Sequence, residues 1–416
     1  MDKVLRLVYI IGTFPSFTTT FIDREIKSLR QRGVELRVVS IRRPAIGMPL
    51  SVEQRELQQG VTYLLPVDWL NFIIANLYFV VFRSLAYFRT LFYLLTRPHP
   101  DPKARVMTFL HFAEGVYAAY LLRSRLFDQL HAHFVDRAAI VALVASHLLD
   151  KPYSLTAHAN DIYAKPVLLH EKIAEAKFIT TCTGYNQTYL RRMVGDELNG
   201  KLHLAYHGLD LNNYQPVSSL PQGNRPLLLS IGRLTEKKGF SYLIAACRRL
   251  KDQGYDFICH IVGEGPLHQE LEAQITHLGL KDTVTLCGAM PHEAVIDKYR
   301  QATLFAISCV TARDGDRDGI PNVLAEAMAM QLPIVSTRHS GIPELVEDKI
   351  SGLLVPTNDE EALAEALAKL LDNPALRRRL GQRGRQKVLE DFDVERNVQR
   401  LFDLFVACRS VGKWEE

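Results

Sequence analysis

Residues 227–266, LLLSIGRLTEKKGFSYLIAACRRLKDQGYDFICHIVGEGP, run through a short apolar stretch, a glycine-bounded turn, an amphipathic stretch and a second apolar run. Short aliphatic runs suit strands buried on both faces of a sheet, and the helical spacing in GFSYLIAACRRLKDQG suits a helix laid over it. The alternation continues with TVTLC (283–287), LFAISCV (304–310), PIVST (333–337) and GLLVP (352–356), with PLHQELEAQITHLGL among the intervening helical segments. Strands and helices in this order predict a parallel sheet covered on both faces. Such sheets bind ligands beyond the carboxyl ends of their strands.

Working outward, the first half repeats the theme less regularly. Its strand candidates are VLRLVYII (4–11), ELRVVSI (35–41), QLHAHF (129–134), YSLTAH (153–158) and KFITTC (177–182). A chain of 416 residues exceeds what one hydrophobic core usually supports, so two domains are expected. The Asn-, Pro- and Ser-rich stretch 208–226, GLDLNNYQPVSSLPQGNRP, reads as the linker between a domain over 1–207 and one over 227–392. The last segment, 393–416, has the pattern of a helix free to pack back on the first domain.

Composition narrows the class. Apolar residues make up 47% and charged residues 23%, as in an ordinary soluble globular protein. The six cysteines show no CxxC pair and no metal-ligand spacing, and most lie in apolar runs, which favours a reducing compartment. The start, MDKVLRLVYIIG, reads as a buried first strand rather than a signal peptide, so the expected location is cytoplasmic. Net charge is only +4, yet residues 1–110 hold 15 Lys and Arg against 8 Asp and Glu. Within that basic part lies WLNFIIANLYFVVF (69–82), followed by Arg83, Arg89, Arg97, Lys103 and Arg105. The apolar stretch falls short of the roughly 20 residues that span a bilayer. Two readings of 69–105 stand: a helical hairpin buried in the first domain, or an apolar and basic surface in peripheral contact with an anionic membrane. The second would place the protein at the inner face of the plasma membrane. No basic run with interleaved aromatics points to nucleic acid.

Three features of the second domain point to a phosphate-bearing ligand. In SIGRLTEKKGF (230–240) a strand ends at Gly232, which puts Arg233 and Lys238 on the ligand-binding edge of the sheet. A guanidinium there grips phosphate oxygens in pairs and an ammonium adds a point charge; a solvated basic turn is the alternative. VGEGP (262–266) places Gly263 and Gly265 in a loop after a strand, where backbone can approach a ligand closely. In DRDGIPNVLAEAMAMQLP (316–333), Pro321 suits a first helical turn, leaving the amides of Asn322, Val323 and Leu324 as donors for an anion. Glu326 sits among apolar neighbours, where a carboxylate needs donors such as sugar hydroxyls. The run Asp314, Asp316, Asp318 resembles the start of a calcium loop, but the twelfth position is Ala325 and no helix precedes it, so metal binding is not expected.

Taken together, SIGRLTEKKGF, VGEGP, LCGAM, the Asp318-x7-Glu326 element and TRHSGIPELVEDKISGLLVP resemble glycosyltransferase family 4, the group 1 glycosyltransferases of GT-B fold. The N-terminal TFPSFTTTFIDREIKSLRQRG, LHAHFVDRAA and SLTAHANDIY, with DGDRDGIPNVLAEAMA, are similar to its exopolysaccharide and colanic acid branch. The resemblance implies two Rossmann-like domains with parallel sheets facing a central cleft. It also implies a retaining enzyme that takes a nucleotide-activated sugar, a UDP- or GDP-sugar, as co-substrate without a further cofactor. By position, Arg233 and Lys238 would hold the diphosphate, Glu326 the ribose and Asp318 the donor sugar's hydroxyls. Gly263, Gly288 and Met290 would line the base pocket, and Gly12 would face the diphosphate from the first domain. His158 would contact sugar or acceptor. The family's first acid is usually Glu, and the neighbouring Asp316 is a second candidate for that role.

The expectation that goes with the resemblance is front-face transfer: fixed cations would stabilise the departing diphosphate, which would take the acceptor's proton. The acceptor would be a glycan or a polyprenyl-linked oligosaccharide. A catalytically inactive sugar-nucleotide-binding scaffold in a polysaccharide assembly complex is the alternative. A metal-dependent single-domain transferase fits poorly, because its DxD motif follows an early strand. A dehydrogenase fits worse still, because no G-x-G-x-x-G opens a helix after a strand.

Overall fold

The computed structural model describes residues 4–16, 19–47, 50–163, 166–216 and 225–410. Part of the expected linker (217–224), the end of the last segment (411–416) and residues 17–18 of the N-terminal motif lie outside the described residues. The chain divides into two compact units. The first comprises Met1–Cys182, Asn186–Ala205 and the chain from Glu395 onward; the second comprises Thr183–Tyr185 and Tyr206–Val394.

In chain order the first unit opens with β1 (Arg6–Thr13), α1 (Thr20–Gln31), β2 (Glu35–Arg42), α2 (Val52–Gln58) and β3 (Val61–Tyr63). Three helices follow: α3 (Trp69–Phe82), α4 (Ser84–Thr96) and α5 (Pro102–Leu122). Then come β4 (Gln129–His133), α6 (Arg137–Leu149), β5 (Tyr153–Ala157), α7 (Ala159–Tyr163), α8 (Leu169–Glu175), β6 (Ile179–Thr181), α9 (Gly184–Val194) and β7 (Leu202–Leu204). The strands form one parallel sheet in the order β3-β2-β1-β4-β5-β6-β7. β3 (VTY) and β7 (LHL), three residues each and only partly buried, lack the fully apolar run that marks a strand in sequence. Helix α6 is apolar from Ala138 to Ala145 and buried from Ala138 to Ser146, as a helix packed between sheet and neighbouring helices must be.

The buried-hairpin reading of 69–105 is corrected. Helices α3 and α4 are connected through Arg83 with a bend of 108°. They bury only Ala75, Phe79 and Leu94, which pack into the core shared with Phe112 and Val116, and Thr90, whose hydroxyl lies 2.9 Å from His147 Nδ1. Their other faces are apolar and exposed: Leu77 is 59% exposed, Phe82 70% and Leu85 81%. Among the described residues, no single helix is long and apolar enough to cross a membrane.

The second unit contains β8 (Leu227–Ile231), α10 (Phe240–Asp252), β9 (Ile258–Val262), α11 (His268–His277), β10 (Val284–Leu286), α12 (His292–Gln301) and β11 (Leu304–Ile307). It continues with α13 (Asn322–Ala329), β12 (Ile334–Thr337), α14 (Ile342–Leu345), β13 (Leu353–Val355), α15 (Glu360–Asp372) and α16 (Pro374–Asp391). The closing helix α17 (Val394–Ser410) belongs to the first unit from Glu395. There Phe405 packs against Tyr9, His131 and Phe178, and Arg32 bridges to Glu395 at 2.5 Å. Of the 208–226 stretch, the described beginning packs within the second unit: Leu209 bridges to Asp393 and Tyr214 is fully buried.

The second sheet is also parallel, in the order β10-β9-β8-β11-β12-β13. Winding runs outward in one direction from β8 and in the other from β11. The carboxyl ends of those two central strands therefore border a topological switch point, where open α/β sheets leave a crevice.

Candidate active site

The loops after β8 and β11 meet at that switch point. Gly239 occupies the left-handed region at φ 65°, and a Cβ there would lie 1.8 Å from the Ser308 carbonyl oxygen. Ser308 Oγ donates to the Gly239 carbonyl at 2.6 Å, and the Val310 amide donates to the Lys237 carbonyl at 3.0 Å. This close backbone approach, open only to glycine, fixes the start of α10 against the end of β11. It also determines where the preceding lysines project.

Lys238 Nζ lies 2.7 Å from Asp318 Oδ2, while Lys237 Nζ lies 2.9 Å from Asp316 Oδ2 and 3.5 Å from Asp318 Oδ1. Burial works against the charge on Lys238, but the Asp318 carboxylate outweighs it and raises the ammonium above its ordinary value. Asp318 is likewise disfavoured as an anion by burial and held below the usual carboxylate range by the two lysines. Arg233 is exposed and close enough to Lys238 that the two like charges oppose each other. Three cations thus stand against two carboxylates here. An ammonium has three donors and Asp318 accepts one of them, so Lys238 retains capacity for an anion.

A second backbone approach lies beside this one. Gly263 has φ 146°, and a Cβ on it would fall 1.9 Å from the Gly232 carbonyl oxygen. The Gly232 amide donates to Val262, the Leu234 amide to Glu264 and the Gly263 amide to Gly288, which ties the loops after β8, β9 and β10 into one backbone lattice. Gly265 and Met290 belong to the same rim, with the Met290 side chain half-buried against the core under β11 and α13.

The helix α13 begins at Asn322 after Pro321, one residue later than a proline in the first turn. One expectation is corrected: the Leu324 amide is not a spare donor, because it bonds to the Pro321 carbonyl at 3.0 Å. Asn322 and Val323 occupy the first two positions of the helix. Glu326, 7% exposed, accepts a hydrogen bond from Tyr299 Oη at 3.1 Å.

In the first unit, Gly12 lies near the carboxyl end of β1, where a Cβ would meet open space. His158 follows β5, is buried, and donates its amide to Asp161 Oδ1 at 2.7 Å. Its ring lies 4.3 Å from Phe134, 5.0 Å from Phe21 and 5.8 Å, stacked, from His133. His133 Nε2 is 3.1 Å from Glu25 Oε1, which also accepts from Tyr9 Oη at 2.6 Å. Asp161 accepts from Val135 as well, and burial raises its carboxyl well above the ordinary value.

Several contributors were not singled out in the sequence. Lys237 stands beside Lys238 in the quoted EKKG run; a doubled lysine before the glycine that precedes a helix was the available signal. Tyr299 lies in a different helix from its partner Glu326, so no spacing links them. His339, after β12, is held neutral-leaning by burial and by Arg317, against the pull of Asp318.

Two parallel-sheet Rossmann-like units in one chain make up the GT-B fold. Residues 214–387 match the family described as Glycosyl transferases group 1. Over 209 residues the chain is 42% identical to Escherichia coli (strain K12) WcaL, named as a colanic acid biosynthesis glycosyltransferase. That match covers 50% of this chain and 51% of WcaL. It is 46% identical over 153 residues to AmsK of Erwinia amylovora, named as an amylovoran biosynthesis glycosyltransferase, covering 36% of this chain and 38% of AmsK. The chain thus spans about half the length, or less, of these curated relatives. Among solved structures, Anabaena Alr3699/HepE in complex with UDP-glucose has the same fold, with a TM-score of 0.69 at 16% identity over 97% of this chain and 100% of HepE.

Proposed function

We propose that the protein is a retaining, metal-independent glycosyltransferase of exopolysaccharide biosynthesis. It would move a sugar from a UDP- or GDP-sugar to a glycan or polyprenyl-linked acceptor. The observation that carries this reading is the meeting of Lys238, Asp318 and Arg233 at the switch point of the second sheet, beside the backbone lattice at Gly232 and Gly263. The names of WcaL and AmsK support the polysaccharide setting, and the UDP-glucose complex of HepE supports the donor class.

In this reading Arg233 and Lys238 bind the diphosphate, and Asp318 orients Lys238 while its remaining lone pairs take a donor-sugar hydroxyl. Glu326, presented by Tyr299, accepts from the ribose. Gly263, Gly265, Gly288 and Met290 surround the base, and the amides of Asn322 and Val323 favour negative charge at the start of α13. Gly12 and His158 serve the sugar and acceptor from the first unit. The bond from the anomeric carbon to the diphosphate oxygen breaks and a bond to the acceptor oxygen forms on the same face. The acceptor's proton passes to the departing diphosphate, whose charge the two cations stabilise in place of a metal. A panel of UDP- and GDP-sugars read by thermal shift tests it. One donor should raise the melting temperature by mass action and be consumed on adding acceptor, undiminished by chelator. Donor binding with no turnover on any acceptor would support the scaffold alternative instead.

A further inference from the structure

Helix α3 is apolar on every side. Ala75 and Phe79 occupy the face toward α5, whereas Leu70, Ile73, Ile74, Leu77 and Val81 recur at helical spacing on the opposite face and are exposed. A helix that is hydrophobic all round belongs in a core or in lipid, and this one has a core on only one side. The stripe continues across the bend, where Phe82 and Leu85 flank Arg83, and along α4 through Phe88 and Phe92. Trp69, 71% exposed, stands at the beginning of α3, the position that aromatic rings take at a membrane interface.

The charge pattern selects the occupant. From Trp69 to Pro100 there are three arginines (Arg83, Arg89 and Arg97) and no Asp or Glu, and Lys103 and Arg105 follow at the exposed start of α5. Arginine stems extend along apolar surface and carry the guanidinium to a phosphate layer. A protein partner of ordinary composition would place acids or a shaped apolar ridge against such a face. An anionic lipid leaflet supplies both apolar depth and negative headgroups over a broad area. At 14 residues α3 is about 21 Å long, shorter than the hydrocarbon core, and the 108° bend keeps α3 and α4 from acting as one span.

We propose that the α3–α4 elbow is an interfacial membrane anchor. Its outer apolar residues enter one leaflet of an anionic bilayer, and Arg83 and Arg89 engage lipid phosphates. The inference is independent of the catalytic reading, since none of these residues belongs to the donor site.

Flotation of the full chain with vesicles of mixed phosphatidylglycerol and phosphatidylcholine, against phosphatidylcholine alone, tests it. Binding is expected to the anionic vesicles and to weaken with added salt. Arg83→Gln with Arg89→Gln should weaken it about fivefold for each arginine removed. Leu77→Glu with Phe92→Glu should abolish it, and both positions are exposed, so folding should be retained. Absence of flotation at low salt overturns the proposal. So does a lipid-free dimer that the Leu77/Phe92 variant dissociates while vesicle binding stays unchanged, which would make a second copy the occupant. Donor-induced thermal stabilisation, measured on the same samples, reports separately on the catalytic reading.

Discussion

Lys238 and Asp318 form a partly buried ion pair, 2.7 Å between Nζ and Oδ2, that joins the loop after β8 to the loop after β11. The lysine follows one central strand and the aspartate the other, so the pair spans the point where the winding of the sheet reverses. Its two charges stay ionised because each sustains the other against burial.

Breaking that pair from either side should destabilise the second unit. Lys238→Met or Asp318→Asn alone is expected to cost about 2 kcal/mol, since each leaves a partly buried charge short of its partner. The double variant should cost less than the two singles together, by about 1–3 kcal/mol in urea unfolding. The depressed value of Asp318 also fixes a sign with pH. Its contribution is present above the ordinary carboxylate range and is lost as pH falls through the lower value that it has when folded. Wild type should therefore lose stability on acidification more steeply than Asp318→Asn.

Arg233 separates catalysis from folding, because its side chain is exposed. Arg233→Ala should leave the melting temperature within about a degree or two, as surface changes do. Turnover with the identified donor should fall by about 100-fold or more. Unchanged turnover would remove the guanidinium from the mechanism.

Glu326→Gln retains a side-chain oxygen for the Tyr299 hydroxyl while removing the charge. Stability should change by no more than about 1 kcal/mol, whereas donor affinity, read by titration calorimetry, should drop about tenfold through weaker acceptance from ribose hydroxyls. Tyr299→Phe should reproduce part of that loss, because the carboxylate would lose the contact that orients it.

Gly263→Ala should be far more damaging than its size suggests. The new methyl would need the space held by the Gly232 carbonyl oxygen, 1.9 Å away, at a backbone φ of 146°. A loss of at least about 2 kcal/mol is expected from thermal unfolding, along with lost donor stabilisation.

Asp23 offers a pH test in the first unit. Burial, opposed by the hydrogen bond from Gln54 and reinforced by Glu53, pushes its carboxyl up to about 6 from an ordinary 3.8. The folded state therefore prefers the protonated form. That advantage is complete below the unfolded value and disappears as pH rises through about 6. Asp23→Asn should thus be close to neutral near pH 4 and stabilising at pH 7, by an amount approaching about 3 kcal/mol at most.

The second sheet was fully legible because each of its strands is an aliphatic run bounded by glycine, proline or a charged turn, as in LLLSIGRL and PIVSTR. That Arg233, Lys238 and Asp318 share one edge of that sheet was also legible, since parallel topology places every loop after a strand on that edge. What the sequence left open were relations across elements: Tyr299 with Glu326 and Lys237 with Asp316. β3 and β7 escaped for a different reason: VTY and LHL are short and only partly buried edge strands, without the fully apolar run that marks the equally short β13. The outward face of α3 was ambiguous because burial in protein and burial in lipid select the same residues.

The placement of Phe405 bears on how the molecule is made. Its ring closes over Tyr9, His131 and Phe178, side chains synthesised long before it. On the ribosome, the half translated first must wait with that surface bare until the final helix emerges. A chain lacking that helix would hence present these rings of the first unit to chaperones and proteases.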